Sequence, residues 1–454
     1  MDRYETALVL GLGKSGVGAA RLLMGEGTEV TAVDRDSGVE QNNAVADLIR
    51  SGVRVCGGAH ALPAGTYDVC VVSPGIPVTS PWIEELRDRG VPLVSELELG
   101  WSRRSCPVLA VTGTNGKSTA VKWCAGALRR AGFKTALAGN YGVSVCDVVR
   151  DTEPVDWLVL EVSSFQLETV RVFRPDIGVL LNIHPNHLDR HSGMDEYVRL
   201  KLGLFAHTRE SDVCILPADL MGMIKPYVAG DPLRVMAGEG RRITFGNGHD
   251  AEYRYEQNGV TRNGQVRMRL EGTWFANPVQ GLTAAAVAAA LDACKVPAEC
   301  AEDEARAFQP LPHRMQEVRI LSGVRFVNDS KATNLAAVQA ALAMTPGPIR
   351  LIAGGQAKET NFERLKEYLA QRVKCVYCIG NASGAMSSAW SEIVPCRQCG
   401  SLNAAVREAW NDAVSGETVL LSPGCASFDQ FHSYEERGDR FSREVRQLEE
   451  EAAK

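Results

Sequence analysis

Apolar runs and stretches of helical periodicity alternate from the first residues onward. Over residues 1–102 the runs are TALVLGLG, TEVTAVD, VRVCGG and YDVCVVSPG, and the first intervening helical stretch passes through Arg21. This rhythm predicts parallel strands joined by crossover helices. It restarts at Pro107, where PVLAVTGTNGKST reads as strand, glycine loop and helix start. WLVLEVSS and DIGVLLNI follow as near-continuous apolar runs, the mark of strands covered on both faces of a parallel sheet. Residues 241–275 turn to Thr, Tyr and Val broken by Asn258-Gly259 and Asn263-Gly264, which predicts antiparallel hairpins. The alanine-rich run 283–294 predicts a helix packed closely on them. A third strand–helix series follows Pro310 and Pro312, with strands expected near 324–328, 349–353, 373–379 and 417–422. The charged stretch 441–453 predicts a last helix lying on the surface.

The expected architecture is therefore α/β in three domains. A Rossmann-like N-terminal domain spans 1–102. A central P-loop ATPase-type α/β domain with a small antiparallel β region spans 103–310, and a C-terminal Rossmann-like domain spans 311–454. A length of 454 residues agrees with about 150 residues per domain. With 45% hydrophobic and 23% charged residues the chain is neither disordered nor fibrous. Lys and Arg number 49 against 55 acidic residues, a net charge of -6 that gives no reason to expect nucleic acid or an anionic membrane as partner. No apolar run approaches the ~20 residues that span a bilayer, so no membrane insertion is expected. Thirteen scattered cysteines suit a reducing cytoplasm better than a disulfide framework.

The candidate chemistry starts at Gly113-Thr114-Asn115-Gly116-Lys117-Ser118-Thr119. Backbone N–H groups of such a loop face phosphates, the helix start adds partial positive charge, and Lys117 reaches the terminal phosphates. Ser118 is placed to ligate Mg²⁺. The general phosphate-loop pattern has glycine where this chain has Val111, so only its second half is present. The strand before it and the helix after it favour ATP binding over an incidental turn. Near the start, Gly11, Gly13 and Gly16 open a helix and Asp34 ends the next strand. That pattern fits NAD or a diphosphate-sugar, or a helix packed tightly on its sheet.

Strand C-termini face the ligand crevice in an open α/β sheet. Glu161, ending WLVLE, and His187, in HPNHLDRH, are thus expected beside the phosphate loop, where with Ser118 they would form a Mg²⁺ shell. Plainer roles compete. Glu161 would cap the following helix, and His184, His187 or His191 would satisfy loop hydrogen bonds. Lys201, in EYVRLKLGLF, would by default extend to water. If buried near metal, desolvation would leave a neutral amine able to react with CO₂. In the third domain, NDSKATN at 328–334, Pro312-His313-Arg314, Gly354-Gly355 with Lys358, and SPGCASF at 422–428 offer hydroxyls, backbone N–H groups and cations. Such loops suit a small dicarboxylate. Cys375, Cys378, Cys396 and Cys399 have the spacing of a zinc ribbon. VKCVYCIG, however, reads as a buried strand that sends cysteines three apart to opposite faces.

Taken together, TGTNGKST, EVSSFQLE, the His187 segment, Lys201, PHR, NDSKATN and SPGCASFDQF resemble the Mur ligase family over the whole chain and in order. SSFQLE and SPGCASFDQF point to its D-glutamate-adding branch. The resemblance implies cytoplasmic, ATP-dependent joining of D-glutamate to UDP-N-acetylmuramoyl-L-alanine through an acyl phosphate, by a monomer. It implies two Mg²⁺ ions, for which Mn²⁺ can substitute, and a CO₂-derived carbamate on Lys201. By motif, Lys117, His187 and Lys201 resemble the catalytic positions. Ser118 and Glu161 resemble ligands of one metal, His187 and carbamylated Lys201 of the second. Besides the phosphate loop, Asn277, Arg314, Asp329 and Lys331 resemble ATP-contacting positions. Ser15, Asp34, Gly75, Asn140 and His187 resemble those for the UDP-sugar. Thr333, Lys358, Ser427 and Phe428 resemble the D-glutamate seat. The chain departs from the family pattern at Lys14, Arg35, Tyr141, Asn186 and Gln280.

Overall fold

A computed structural model describes residues 3–151, 153–188, 190–228 and 236–452. Its strands form three sheets. The first joins β1 (Thr6–Leu10), β2 (Glu29–Val33), β3 (Arg54–Cys56), β4 (Val69–Val72) and β5 (Leu93–Ser95) in the order β3-β2-β1-β4-β5. Every pair in it is parallel. The chain leaves β1 toward β2 on one side and returns to β4 on the other, which opens a crevice at the C-terminal ends of β1 and β4. The all-apolar β4, VCVV, and the buried face of helix Lys14–Gly25 supply the packing that the sequence pattern anticipates.

The second sheet has nine strands: β6 (Val108–Thr112), β7 (Thr135–Gly139), β8 (Trp157–Glu161), β9 (Ile177–Leu180), β10 (Val213–Pro217), β11 (Arg241–Gly246), β12 (Tyr253–Glu256), β13 (Gly259–Arg262) and β14 (Gln265–Arg269). Their order is β14-β13-β12-β11-β10-β9-β6-β8-β7. The region 241–275, expected to form antiparallel hairpins, does so only in its second part. β11 pairs parallel with β10 over five residue pairs, and β12 joins β11 in parallel through only Phe245↔Tyr253 and Gly246↔Arg254. Antiparallel pairing starts with β13 and β14. Left-handed Asn258 and Asn263 make the turns, as their Asn-Gly dipeptides require. The alanine-rich helix begins earlier than expected, at Pro278, and runs to Ala293. It reaches this region closely, for a Cβ on Gly281 would lie 2.3 Å from the Tyr255 ring, and Tyr253 OH donates to Asp292 at 2.7 Å.

The third sheet joins β15 (Gln316–Leu321), β16 (Val324–Asn328), β17 (Ile349–Gly354), β18 (Val373–Ile379), β19 (Cys396–Gly400) and β20 (Thr418–Leu421) in the order β15-β16-β20-β17-β18-β19. β15 is antiparallel to β16 and the others are parallel. By compactness the chain divides into two units. Met1–Ile183, Arg190–Ala276 and Gly281–Ala307 form one, containing the first two sheets. His184–Asp189, Asn277–Gln280 and Phe308–Lys454 form the other, containing the third.

The last helix corrects the reading of residues 441–453 as a surface element. It spans Tyr434–Ala452, and Phe441, Val445 and Leu448 are buried against strands of the third sheet. Those three share one face at helical spacing, a stripe hidden by the surrounding charge. β18 behaves as expected of a buried strand. Cys378 joins the core on one face with Cys396 packed against it, while Cys375 joins the other with Cys399. One ion cannot gather all four across a sheet. Among the described residues no helix is long and apolar enough to cross a membrane.

Candidate active site

The phosphate loop follows β6. Gly113 and Gly116 take φ of +148° and +85°, where a side chain would be strained, and a Cβ on Gly113 would sit 3.1 Å from that of Leu181. Helix Lys117–Arg130 starts directly after Gly116. Asn182, beyond the end of β9, latches the loop. Its carbonyl accepts from Thr114 N at 3.0 Å, its Oδ1 accepts from Asn115 N at 2.9 Å, and its Nδ2 donates to Asn115 O at 3.1 Å. Sequence reading passed over Asn182, although its place at a strand C-terminus beside the loop was the available signal. Lys117 Nζ donates to the carbonyls of Gly113 and Thr114 at 2.8 and 2.9 Å, folding the side chain back over the loop. Ser118 and Thr119 are buried at the helix start.

Glu161 ends β8 in register with Val111 of β6. It is 3% exposed, Oε1 accepts from Asn140 Nδ2 at 2.5 Å, and Oε2 is buried with no hydrogen-bond partner among the described residues. The capping alternative fails, because Ser163 and Gln166 form the capping box of the helix that follows. A buried carboxylate oxygen left without a donor costs free energy that a cation relieves. Hard oxygen donors of this kind, to which the Ser118 hydroxyl at the start of the loop's helix would add, suit Mg²⁺. Lys201 does not extend to water. It is 1% exposed, its Nζ donates to Gly113 O at 2.9 Å and Thr112 Oγ1 at 3.4 Å, and it lies 4.8 Å over the Tyr197 ring. Burial, with the Lys117 charge adding, holds its amine well below the usual lysine range, while Glu161 opposes.

In the same unit a cavity of about 500 Å³ lies at the C-terminal ends of β1 and β4. Gly11, Lys14, Ser15, Asp34, Arg35, Gly75, Trp82, Asn140 and Gln166 are among its lining residues. Ser15, Asp34, Gly75 and Asn140 are thereby brought together. Asp34 Oδ2 accepts from Leu12 N at 2.7 Å and shapes the glycine turn. The Arg35 guanidinium lies 4.8 Å over Trp82. Lys14, first residue of its helix, is drawn below the usual lysine range by partial burial, with Glu96, Asp147 and Glu161 opposing.

The other unit holds the remaining candidates. His187 takes φ of +57°, uncommon for any residue with a side chain, and its N–H donates to Asn186 Oδ1 at 3.0 Å. Asn277 Oδ1 accepts from Val279 and Gln280 N–H groups at the start of the alanine helix. Asp329 is buried, accepts from Ser422 Oγ at 2.9 Å and Met315 N at 3.2 Å, and is pushed by burial up to about 7. Arg314 is half-buried, and its charge partly counters that shift. Lys331 Nζ sits 3.5 Å from the centre of the Tyr434 ring. Thr333 and Lys358 are half-buried, Ser427 is buried and Phe428 is 69% exposed. The loops carrying Lys358 and Ser427 are tied by paired hydrogen bonds between Gln356 and Ala426, both 2.9 Å. Arg437, missed in the sequence because the last helix was started too late, is 1% exposed. It donates to Ser330 Oγ and O and to Cys425 O, so it joins the NDSKATN and SPGCASF loops.

Three family models match the chain in sequence order, one over each sheet. Residues 5–95 match the Mur ligase MurD-like N-terminal domain, 111–266 the Mur ligase middle domain, and 313–425 the Mur ligase glutamate ligase domain. The UDP-N-acetylmuramoylalanine–D-glutamate ligase of Acidobacterium capsulatum is 38% identical over 443 residues, 96% of this chain and 95% of that protein. The ligase of the same name from Syntrophotalea carbinolica is 36% identical, covering 97% of each. Among solved structures, the UDP-N-acetylmuramate-alanine ligase MurC of Thermotoga maritima superposes with a TM-score of 0.60 at 16% identity, over 98% of this chain and 100% of that one. The MurF ligase of Thermotoga maritima in complex with ADP gives 0.61 at 16% identity, over 92% and 96%. These two similarities speak for the fold. With the D-glutamate ligases aligned over nearly their whole length and each sheet matched in order, the chain belongs to the Mur ligase family.

Proposed function

We propose that this chain is an ATP-dependent ligase that joins D-glutamate to UDP-N-acetylmuramoyl-L-alanine in peptidoglycan precursor synthesis, acting as a cytoplasmic monomer. The observation that carries the reading is its likeness, at 38% identity over 96% of the chain, to a ligase bearing that name. A carboxylate is a poor electrophile, and phosphorylation gives it a leaving group. The L-alanine carboxylate attacks the γ-phosphate of ATP, releasing ADP and forming an acyl phosphate. The D-glutamate amine then attacks the acyl carbon. The tetrahedral adduct expels phosphate, the amine loses its proton, and the amide remains.

The loop Gly113–Thr119 holds the ATP phosphates. Asn277, Arg314, Asp329 and Lys331 complete the nucleotide site. Lys117 swings from the loop carbonyls to the terminal phosphate and offsets charge as it transfers. Ser15, Asp34, Gly75, Asn140 and His187 hold the UDP-sugar. Thr333, Lys358, Ser427 and Phe428 seat D-glutamate. Ser118 and Glu161 would hold one Mg²⁺, and His187 with Lys201 as a carbamate the other; Mn²⁺ can substitute. The metals supply charge neutralisation between the carboxylate and the triphosphate. The orphaned Glu161 Oε2 supports the first assignment. Burial that disfavours a charged Lys201 supports the second, because a neutral amine adds to CO₂ with loss of one proton and becomes an oxygen ligand.

The test is phosphate release from ATP with Mg²⁺, the UDP-sugar and D-glutamate, omitting one component at a time. Release that needs both acceptor substrates is expected. Release that ignores the UDP-sugar overturns the reading.

A further inference from the structure

Arg190 has no place in the chemistry above, yet it is one of the most fully engaged side chains of its unit. Only 14% exposed, it donates from Nη1 to Gly75 O at 3.2 Å and from Nη2 to Ile76 O at 2.9 Å. The same Nη2 meets Glu168 Oε2 at 2.8 Å, and the guanidinium lies 4.7 Å over the Phe165 ring. Glu168, buried and thereby raised above the usual carboxylate range with Arg190 opposing, turns Oε1 toward His191 Nδ1 at 3.6 Å. His191, 4% exposed, closes the series through Nε2 to Ser164 Oγ at 3.0 Å. The chain of contacts thus runs from the loop after β4 in the first sheet to the helix Ser164–Leu167 beyond β8 in the second. Both ends line one cavity, through Gly75 and Ile76 on one side and Gln166 on the other.

We infer that Arg190 is a positioning residue for the UDP-sugar: it locks the Gly75–Ile76 lip of the cavity to the Gln166 helix, with Glu168, His191 and Ser164 as its buried support. The planar guanidinium fork spans two successive carbonyls while meeting a carboxylate, a task a lysine ammonium cannot perform. A loop held in place before the ligand arrives loses less freedom on binding, so the contribution falls on substrate affinity and not on the chemical step. This inference rests on the UDP-sugar reading of the cavity.

The test compares wild type with Arg190→Lys and Arg190→Gln in steady-state kinetics, together with calorimetry of UDP-N-acetylmuramoyl-L-alanine binding without ATP. The expected result is a rise of about tenfold in KM and Kd for the UDP-sugar in both variants. KM for ATP and for D-glutamate, and kcat at saturation, stay within about twofold. Glu168→Gln, which keeps shape and an acceptor, shifts the UDP-sugar KM the same way by less. An unchanged UDP-sugar KM in folded Arg190→Lys overturns the inference. So does a uniform loss in all constants together with a fall in melting temperature, which marks a merely structural role. A wild-type protein that turns over ATP without the UDP-sugar overturns the functional reading instead.

Discussion

Two buried cations, one in each compact unit, show how much partnering decides what a charge can do. Arg437 and Lys201 are both 1% exposed. Arg437 spends its guanidinium on Ser330 Oγ, Ser330 O and Cys425 O, and burial lowers it only to about 10, so it stays charged at neutral pH. Lys201 has one short hydrogen bond, to Gly113 O, one long one to Thr112 Oγ1, and a ring beneath it. Its held charge faces a second ammonium, Lys117, across the loop. A well-paired cation serves as a tie between loops. A poorly paired one is poised to give up its proton and change its chemistry.

The sharpest break between the two comes from removing each. Lys201→Ala is expected to lower turnover on the order of 10²–10³-fold, with part of the rate restored by a short-chain carboxylic acid occupying the vacated site. Absence of any rescue would count against the carbamate. Arg437→Met is expected to act on stability, by about 3 kcal/mol, because four hydrogen bonds to buried acceptors go at once. A thermal melt reads this, and a carboxylic acid should restore nothing.

A buried carboxylate gives the comparison its mirror image. Glu96 is 1% exposed, accepts from Cys146 N at 2.7 Å through Oε1, and leaves Oε2 without a hydrogen-bond partner among the described residues. Burial raises it to about 7 from the ordinary 4.5. Between those values the folded protein holds more protons than the unfolded chain, so stability falls as pH rises from about 4.5 to 7. Glu96→Gln should flatten that slope and leave the variant more stable at pH 8 by on the order of 2 kcal/mol. Parallel melting curves of variant and wild type across that range would discard the idea.

The smallest effect expected is at the surface. Arg199 pairs with Asp195 at 2.7 Å, but both side chains are about half exposed. Arg199→Ala should leave the melting temperature essentially unchanged, and a shift as large as that of the buried variants would mean that exposed pairs matter here as much as buried partnering does.

Much of this was legible in the chain. The βα rhythm located the central strands of each sheet, since apolar runs bounded by glycines leave little choice of element, but it did not announce β5, β7, β10, β15 or β19. β18 occupies the 373–379 predicted for it, and β16 the 324–328. The phosphate loop was legible because its function needs particular residues at fixed spacing. What escaped has physical causes. The register by which β12 continues the central sheet depends on contacts with a neighbouring strand, and nothing in EYRYE announces a parallel neighbour. The last helix was misplaced because Phe441, Val445 and Leu448 lie in a stretch dominated by charge. Arg437 fell outside it and was lost with it. Arg190 was invisible for another reason: two of its three acceptors are backbone carbonyls, which carry no residue signature.

The two-pair seam between β11 and β12 divides the nine-stranded sheet into parts with different allegiances. On one side, six parallel strands carry the phosphate loop. On the other, the hairpin strands are fastened to the alanine helix, through Tyr253 and Arg267 to Asp292 and through Tyr255 against Gly281, and to the helix Ala298–Ala307, through Arg269 N to Glu302 Oε1. The alanine helix also touches the phosphate loop, for a Cβ on Gly116 would lie 3.3 Å from Thr283 Oγ1, so the rim of the sheet and the loop lean on one support.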